Sequence, residues 1–267
     1  MEQYSGRTKL GSATGFFYEA GSSLFLVTNR HVVIDEDERQ YPDTLRLRLH
    51  TEPNKLTENE QAEIPLYTNG APAWLEHPSY RCDIALLKLD EKFRQKYRIN
   101  AFSRNSLVPQ NLVISLGDPL TVLGFPLGFY DSTQNLPIAR GATLASPYPV
   151  PFQGEGYFII EARLHQGTSG APVLYLPRTM IRAREGLSVG ASGNFLLGIH
   201  SGALSPPSST EPFDLNTCWF AELIEDILAP LRPKPPEEGA KGSPGSPNSE
   251  LRRDEGKNTA SKDNSSK

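Results

Sequence analysis

Short apolar runs, rich in β-branched and aromatic residues, alternate along most of the chain with clusters of Gly, Pro, Asn, Asp and Ser. That rhythm is the punctuation of β-strands joined by turns. The runs at 13–19, 24–28, 44–51, 62–67, 84–89, 120–124, 156–161, 172–175 and 195–200 are each predicted to be a strand. The segment TLRLRLHT at 44–51 alternates apolar and polar residues, which predicts a strand with one face buried and the other wet. Residues 19–23 (EAGSS) read as the turn of a hairpin. Helical periodicity is rare. Its best instance is AELIEDILAPL at 221–231, where Leu223, Ile224, Ile227 and Leu228 fall on one face. Many short strands with one terminal helix predict an all-β fold of the barrel or sandwich class.

The pattern stops near Pro233. Residues 233–267 carry Ala240, Leu251 and Ala260 as their only apolar side chains, too little burial to offset the entropy of ordering them. The expectation is one domain over 1–232 and a disordered tail or linker over 233–267. The tail holds seven basic and six acidic residues, so it is neither a basic arm nor an acidic one. Its GSPGSP run lacks the Lys-Ser/Thr of a phosphate loop. The whole chain has 267 residues, 37% of them hydrophobic, and a net charge of −4. Such a balance suits a soluble protein and gives no sign of a nucleic-acid partner. No apolar run approaches the ~18 residues of a membrane span. The N-terminal MEQYSGRTKLGSATGFF lacks the apolar stretch of a secretory signal. Two cysteines, Cys82 and Cys218, cannot build a disulfide framework and lack metal-site spacing. A reducing, cytoplasmic location is expected, with no metal and no cofactor.

Three residues invite chemistry. His31, in LFLVTNRHVV, stands where an apolar strand should end, and an imidazole at a cleft edge is suited to general-base work. Asp83, in RCDIALLKL, opens an apolar strand; a carboxylate at the border of core and solvent needs partners, and a histidine N–H is a good one. Ser169, in HQGTSGAPVL, is bracketed by Gly167 and Gly170. Glycine at 167 permits a turn that aims successive backbone N–H groups at one point, as an oxyanion requires. Taken singly, each has a plain structural reading: a half-buried histidine, a cap before a strand, a Gly/Ser turn. The spacing G-x-S-G is not the G-x-S-x-G elbow of the α/β-hydrolases.

Taken together and in order, the segments TGFFY, LFLVTNRHVV, CDIALLKL, GFPLG at 124–128, GTSGAPV and LLGIHSG at 196–202 resemble the chymotrypsin-like serine proteases. The likeness is nearest to the compact bacterial trypsin-like peptidases and glutamyl endopeptidases, and it spans roughly residues 11–231. It implies two packed six-stranded antiparallel β-barrels, divided at roughly 105–120, with the site between them and a C-terminal helix. It also implies a serine endopeptidase acting on protein or peptide substrates. Ser169 would be the nucleophile, His31 the base then acid, and Asp83 the carboxylate orienting it. The N–H groups of Gly167 and Ser169 would form the oxyanion hole, and the strand bearing His200, Ser201 and Gly202 would pair with the substrate backbone.

The sequence departs from the secreted digestive enzymes at Thr168, where they carry the Asp that pairs with a freed N-terminus, and no matching Ile-Val-Gly-Gly segment exists. Activation by N-terminal cleavage is therefore not expected. The base of the specificity pocket is expected near Arg163–His165, with His165 among the lining residues. His200 falls where similar glutamyl endopeptidases and picornaviral proteases carry a histidine that meets a Glu or Gln side chain. The alternative is a core histidine bonded to backbone. Against the first reading, Leu164 stands where those enzymes have a threonine. Two other functions stay open: a protein-binding module on a protease fold with a silent site, or an esterase-like hydrolase. Partner proteins from a larger system are a further possibility.

Overall fold

In the second half of the chain six strands close into a barrel. The order around the ring is Pro119–Gly124, Ile138–Leu144, Tyr157–Glu161, Leu215–Phe220, Phe195–Ala203 and Pro172–Tyr175, which returns to the first. Every neighbouring pair is antiparallel. Period-2 alternation drives the closure: Leu120, Val122 and Gly124 point inward along the first strand while Pro119, Thr121 and Leu123 do not. The Leu120 and Val122 side chains meet Leu144, Phe158, Ile160, Val173 and Leu197 in one apolar core. These features come from a computed structural model, which describes residues 1–79, 81–177, 180–183, 186–189, 193–204 and 213–231. The expected tail at 233–267 lies outside the described residues.

The first half packs its core between two sheets. One orders the strands Thr8–Ser12, Glu2–Ser5, Thr44–His50 and Asn59–Pro65; the other orders Ala101–Ser103, Phe16–Ala20, Ser23–Thr28, Ala85–Leu89 and Trp74–Glu76. Leu24, Leu26, Leu45, Leu47, Leu66 and Leu87 fill the space between them. The alternating segment is the strand Thr44–His50, with Leu45 and Leu47 buried and Arg48 exposed. The hairpin also forms, with Ala20 opposite Ser23 and Gly21 in the left-handed region.

A third cluster bridges the halves, joining Phe16, Tyr18 and Phe25 to Leu174, Ile199, Trp219 and Ile224. The C-terminal helix, Leu223–Leu228, contributes Ile224, Ile227 and Leu228 to the buried side and gives way to a 3₁₀ turn at Ala229–Leu231. Pro230 cannot continue an α-helical ladder, which is why the helix is shorter than 221–231. The result holds the ends of strands from both halves at one junction.

Candidate active site

The register of two neighbouring strands brings the first pair together. Ser23–Thr28 runs antiparallel to Ala85–Leu89 with Thr28 opposite Ala85, so the residues just after one strand face those just before the other. Asn29 locks the crossing by donating from Nδ2 to the Asp83 carbonyl at 2.8 Å. A single helical turn, Arg30–Val33, then directs His31 back over Asp83. The His31 backbone N–H donates to Asp83 Oδ1 at 2.9 Å, and Nδ1 lies 2.7 Å from Oδ2. An ionised carboxylate only accepts, so Nδ1 carries the proton and Nε2 presents its lone pair. Burial alone would lower the His31 pKa, but the Asp83 hydrogen bond and charge, with help from Asp35, outweigh it and raise the pKa above 6.5.

The barrel supplies the rest. Pairing between Phe195–Ala203 and Leu215–Phe220 slips between His200 and Gly202, so Ser201 is the extra residue of a β-bulge and stands outside the ladder. That frees both its polar groups. Its hydroxyl donates to Asp83 Oδ2 at 2.6 Å, and its carbonyl accepts from the Ser169 hydroxyl at 3.2 Å. Asp83 thus accepts three hydrogen bonds, from the His31 backbone, the His31 ring and Ser201. Ser169 and His31 both join this cluster, and among the described residues no hydrogen bond links them directly.

Ser169 sits in a loop clamped from behind. Leu127 N–H donates to the Gln166 carbonyl at 2.6 Å, and Thr14 Oγ1 donates to the Gly167 carbonyl at 2.7 Å. The Thr168 carbonyl accepts from Ala171 N–H at 3.0 Å and lies 3.0 Å from His200 Nδ1. In a trans peptide the N–H points opposite to the preceding C=O, so the Gly167 and Ser169 N–H groups turn away from these clamps. Neither has an acceptor among the described residues. Glycine is required at both ends of the loop. Gly167 has φ of 91° and a Cβ there would lie 2.6 Å from the Phe125 carbonyl; at Gly170, with φ of 81°, it would lie 2.2 Å from the Thr14 carbonyl.

Thr168 is buried and carries no charge to pair; its N–H and hydroxyl both return to the His165 carbonyl. His165 is half-buried at the loop's start. Gly202 has open space where a Cβ would stand, whereas the His200 backbone N–H donates to Ala171 O and its carbonyl accepts from Gly170 N–H, each at 2.9 Å, so of residues 200–202 His200 has no backbone group left for a substrate. His200 is 3% exposed. Its Nδ1 faces Thr168 O at 3.0 Å and its Nε2 faces Asn216 Oδ1 at 3.2 Å. The Asn216 amide is fixed in that orientation because Nδ2 donates to Ala162 O at 2.7 Å. So the structure places His200 beneath the loop as a strut, the second of the two readings, with neither ring nitrogen free for a substrate side chain in this conformation. Burial holds its pKa below 6.5, so at neutral pH the ring has one N–H for two acceptors.

Cys82 and Cys218 are free and buried, and burial pushes the Cys82 thiol up to about 12, far from a thiolate at neutral pH. Among the described residues no His, Cys, Asp or Glu cluster could hold a metal ion. Sequence reasoning missed the supports at Thr14 and Leu127 and the Ser201–Asp83 bond; TGFF and GFPLG mark the first two places but not their contacts.

A family model described as a trypsin-like peptidase domain matches residues 13–176, which include His31, Asp83 and Ser169. The protein belongs to the trypsin-like peptidase family. Among solved structures, the peptidase is similar to an inactive form of Rv3671c from M. tuberculosis H37Rv, with 17% identity over 82% of this chain and 80% of that one and a TM-score of 0.41. The serine protease domain of the Sesbania mosaic virus polyprotein matches with 13% identity, coverage of 82% and 85%, and a TM-score of 0.41. Human heparin binding protein matches with 14% identity, coverage of 86% and 88%, and a TM-score of 0.47. Comparison with curated proteins finds no match.

Proposed function

We propose that the protein is a serine endopeptidase that cleaves protein or peptide substrates through an acyl-enzyme on Ser169. The observation that carries this reading is the Asp83 carboxylate holding His31 through Nδ1 at 2.7 Å, which leaves Nε2 as the base within a family peptidase domain. The Ser169 hydroxyl first turns from the Ser201 carbonyl toward His31. A neutral hydrogen bond of this kind is worth about 1 kcal/mol, and catalytic contacts in resting sites are often unformed until substrate arrives.

His31 Nε2 then takes the Ser169 proton as Oγ attacks the scissile carbonyl carbon. Asp83 stabilises the resulting imidazolium. The N–H groups of Gly167 and Ser169 receive the oxyanion, a preorganised arrangement because the loop's carbonyls are already tied back. His31 returns the proton to the leaving amine, and water, activated by the same base, releases the acyl group. The substrate backbone would lie along residues 201–202 as an added strand.

One observation favours a second reading. The Ser169 hydroxyl bonds to Ser201 rather than to His31, as would suit a protease-fold binding module with a silent site. Reaction with a fluorophosphonate separates the two: stoichiometric labelling of Ser169 supports the enzyme, and inertness of the folded protein supports the module. Comparing turnover of peptide and ester substrates then separates an endopeptidase from an esterase.

A further inference from the structure

Behind the oxyanion loop, residues of the strands Phe16–Ala20 and Thr44–His50 and of the 125–137 connection of the barrel line an open cavity of about 780 Å³. That size lies within the roughly 300–1,000 Å³ of small-molecule sites. Phe17, Phe102, Leu123 and Phe125 give it an apolar floor. The connection is clipped over the first half, with His50 Nε2 2.7 Å from the Gln134 carbonyl and Asn135 Nδ2 donating to the Arg48 carbonyl at 2.9 Å.

The charge around this floor is one-sided. Among the described residues its one acidic lining residue is Glu2, which pairs with Lys9. Arg46 is matched by Glu63 at 2.9 Å. Arg48 bonds only the neutral Asn59 side chain, and among the described residues neither Arg48 nor Arg98 has an acidic partner. Arg48 and Arg98 are exposed and line the same open cavity as the apolar floor; two cations there without acidic partners match an anion with an apolar body, and a guanidinium pairs a carboxylate through two parallel bonds.

We propose that this cavity binds an amphipathic carboxylate, its apolar body on the Phe17–Phe125 floor and its carboxylate at Arg48 and Arg98, and that occupancy holds the oxyanion loop in its cleft-facing arrangement. The coupling is direct. Thr14, Phe125, Leu127 and Gly128 line the cavity; Leu127 donates to Gln166 O, and Thr14 Oγ1 both accepts from Phe125 N–H at 3.1 Å and donates to Gly167 O. Leu127 has φ of 54°, a left-handed backbone that leucine rarely adopts. A ligand packed on this segment therefore favours the one conformation in which both carbonyl clamps are made, and it shifts the loop only as far as it binds that state better.

The test uses dodecanoate below its micellar concentration as the probe, with the equally long cation dodecyltrimethylammonium as control, on the full chain carrying Ser169→Ala. Calorimetry then reads binding whether or not the peptidase reading holds. The expected result is one-to-one dodecanoate binding, weakened at least about tenfold in Arg48→Gln/Arg98→Gln, as loss of charged hydrogen bonds implies, and at least about tenfold weaker binding of the cation. Hydrogen exchange should show added protection at 125–130 and 165–170 with dodecanoate. Absence of binding, or equal binding by the double variant or by the cation, overturns the site. Binding without protection at 165–170 overturns the coupling to the loop.

Discussion

At His31 and His200 two imidazoles a short distance apart are driven in opposite directions, and the difference gives each a pH signature. His31 has its pKa raised, because Asp83 outweighs burial. Its contribution to stability is therefore complete below 6.5 and is lost as pH rises through the folded-state value. The proposed mechanism needs the neutral ring, so activity should rise with pH along a limb centred above 6.5, and Asp83→Asn should move that limb to lower pH. His200 has its pKa lowered by burial. Its contribution is complete above 6.5 and fades as pH falls through the window below that value. Melting temperatures of His31→Ala and His200→Gln against pH should diverge from the wild type with opposite slopes. Parallel curves would contradict the assignment. By the precedent of well-studied serine proteases, Ser169→Ala should cost peptide turnover about 10⁶-fold and Asp83→Asn about 10⁴-fold. Ser201→Ala removes one of three hydrogen bonds to the Asp83 carboxylate, and a bond to a charged group is worth roughly 1.5–3 kcal/mol. Its turnover should fall about tenfold or more while the fold persists, measured as kcat on a small ester. An unchanged kcat would leave Ser201 a purely structural part of the bulge.

The loop from His165 to Gly170 depends on contacts that no local pattern announces. The Gly-x-Ser-Gly spacing marks a turn and a candidate nucleophile, because glycine's freedom is written in the residue itself. The clamps are not, since Leu127 and Thr14 meet Gln166 and Gly167 only after the barrel and the first half have closed. The bulge at Ser201 was hidden for a related reason: its partner strand Leu215–Phe220 puts Asn216 in the core, where its Oδ1 faces His200 Nε2. A polar residue inside a strand breaks the alternation that sequence reading relies on. Strand Ile138–Leu144, with Arg140 and Gly141, escaped notice in the same way. Gly167→Ala tests the loop directly. Its Cβ would strike the Phe125 carbonyl at 2.6 Å, so turnover should fall by the roughly 10²–10³ typical of a lost oxyanion donor. Because the site would be disturbed and not the fold, near-ultraviolet circular dichroism should change little. Wild-type activity in the variant would show that catalysis does not depend on the left-handed turn at Gly167.

The two halves are legible as strand-rich segments, and the order His31, Asp83, Ser169 is legible as a resemblance, but the junction that brings the three into one cluster is a property of the closed molecule. Phe16, Tyr18 and Phe25 from the first half share a core with Ile199 and Trp219 from the barrel, and this packing sets Asp83 against Ser201 across the boundary. Ile199 is fully buried there. Ile199→Ala should cost about 2–5 kcal/mol, seen as a lower denaturant midpoint, with activity lost in step with unfolding rather than before it. The most direct test of the whole proposal is the rate at which a fluorophosphonate labels the folded protein, followed by intact mass and by peptide mapping from pH 5 to 9. The expected result is a single adduct on Ser169, with a rate that climbs along the His31 limb and vanishes in Ser169→Ala and His31→Ala. Labelling at another residue, or none in a folded wild-type protein, would contradict a serine nucleophile activated by His31 and Asp83.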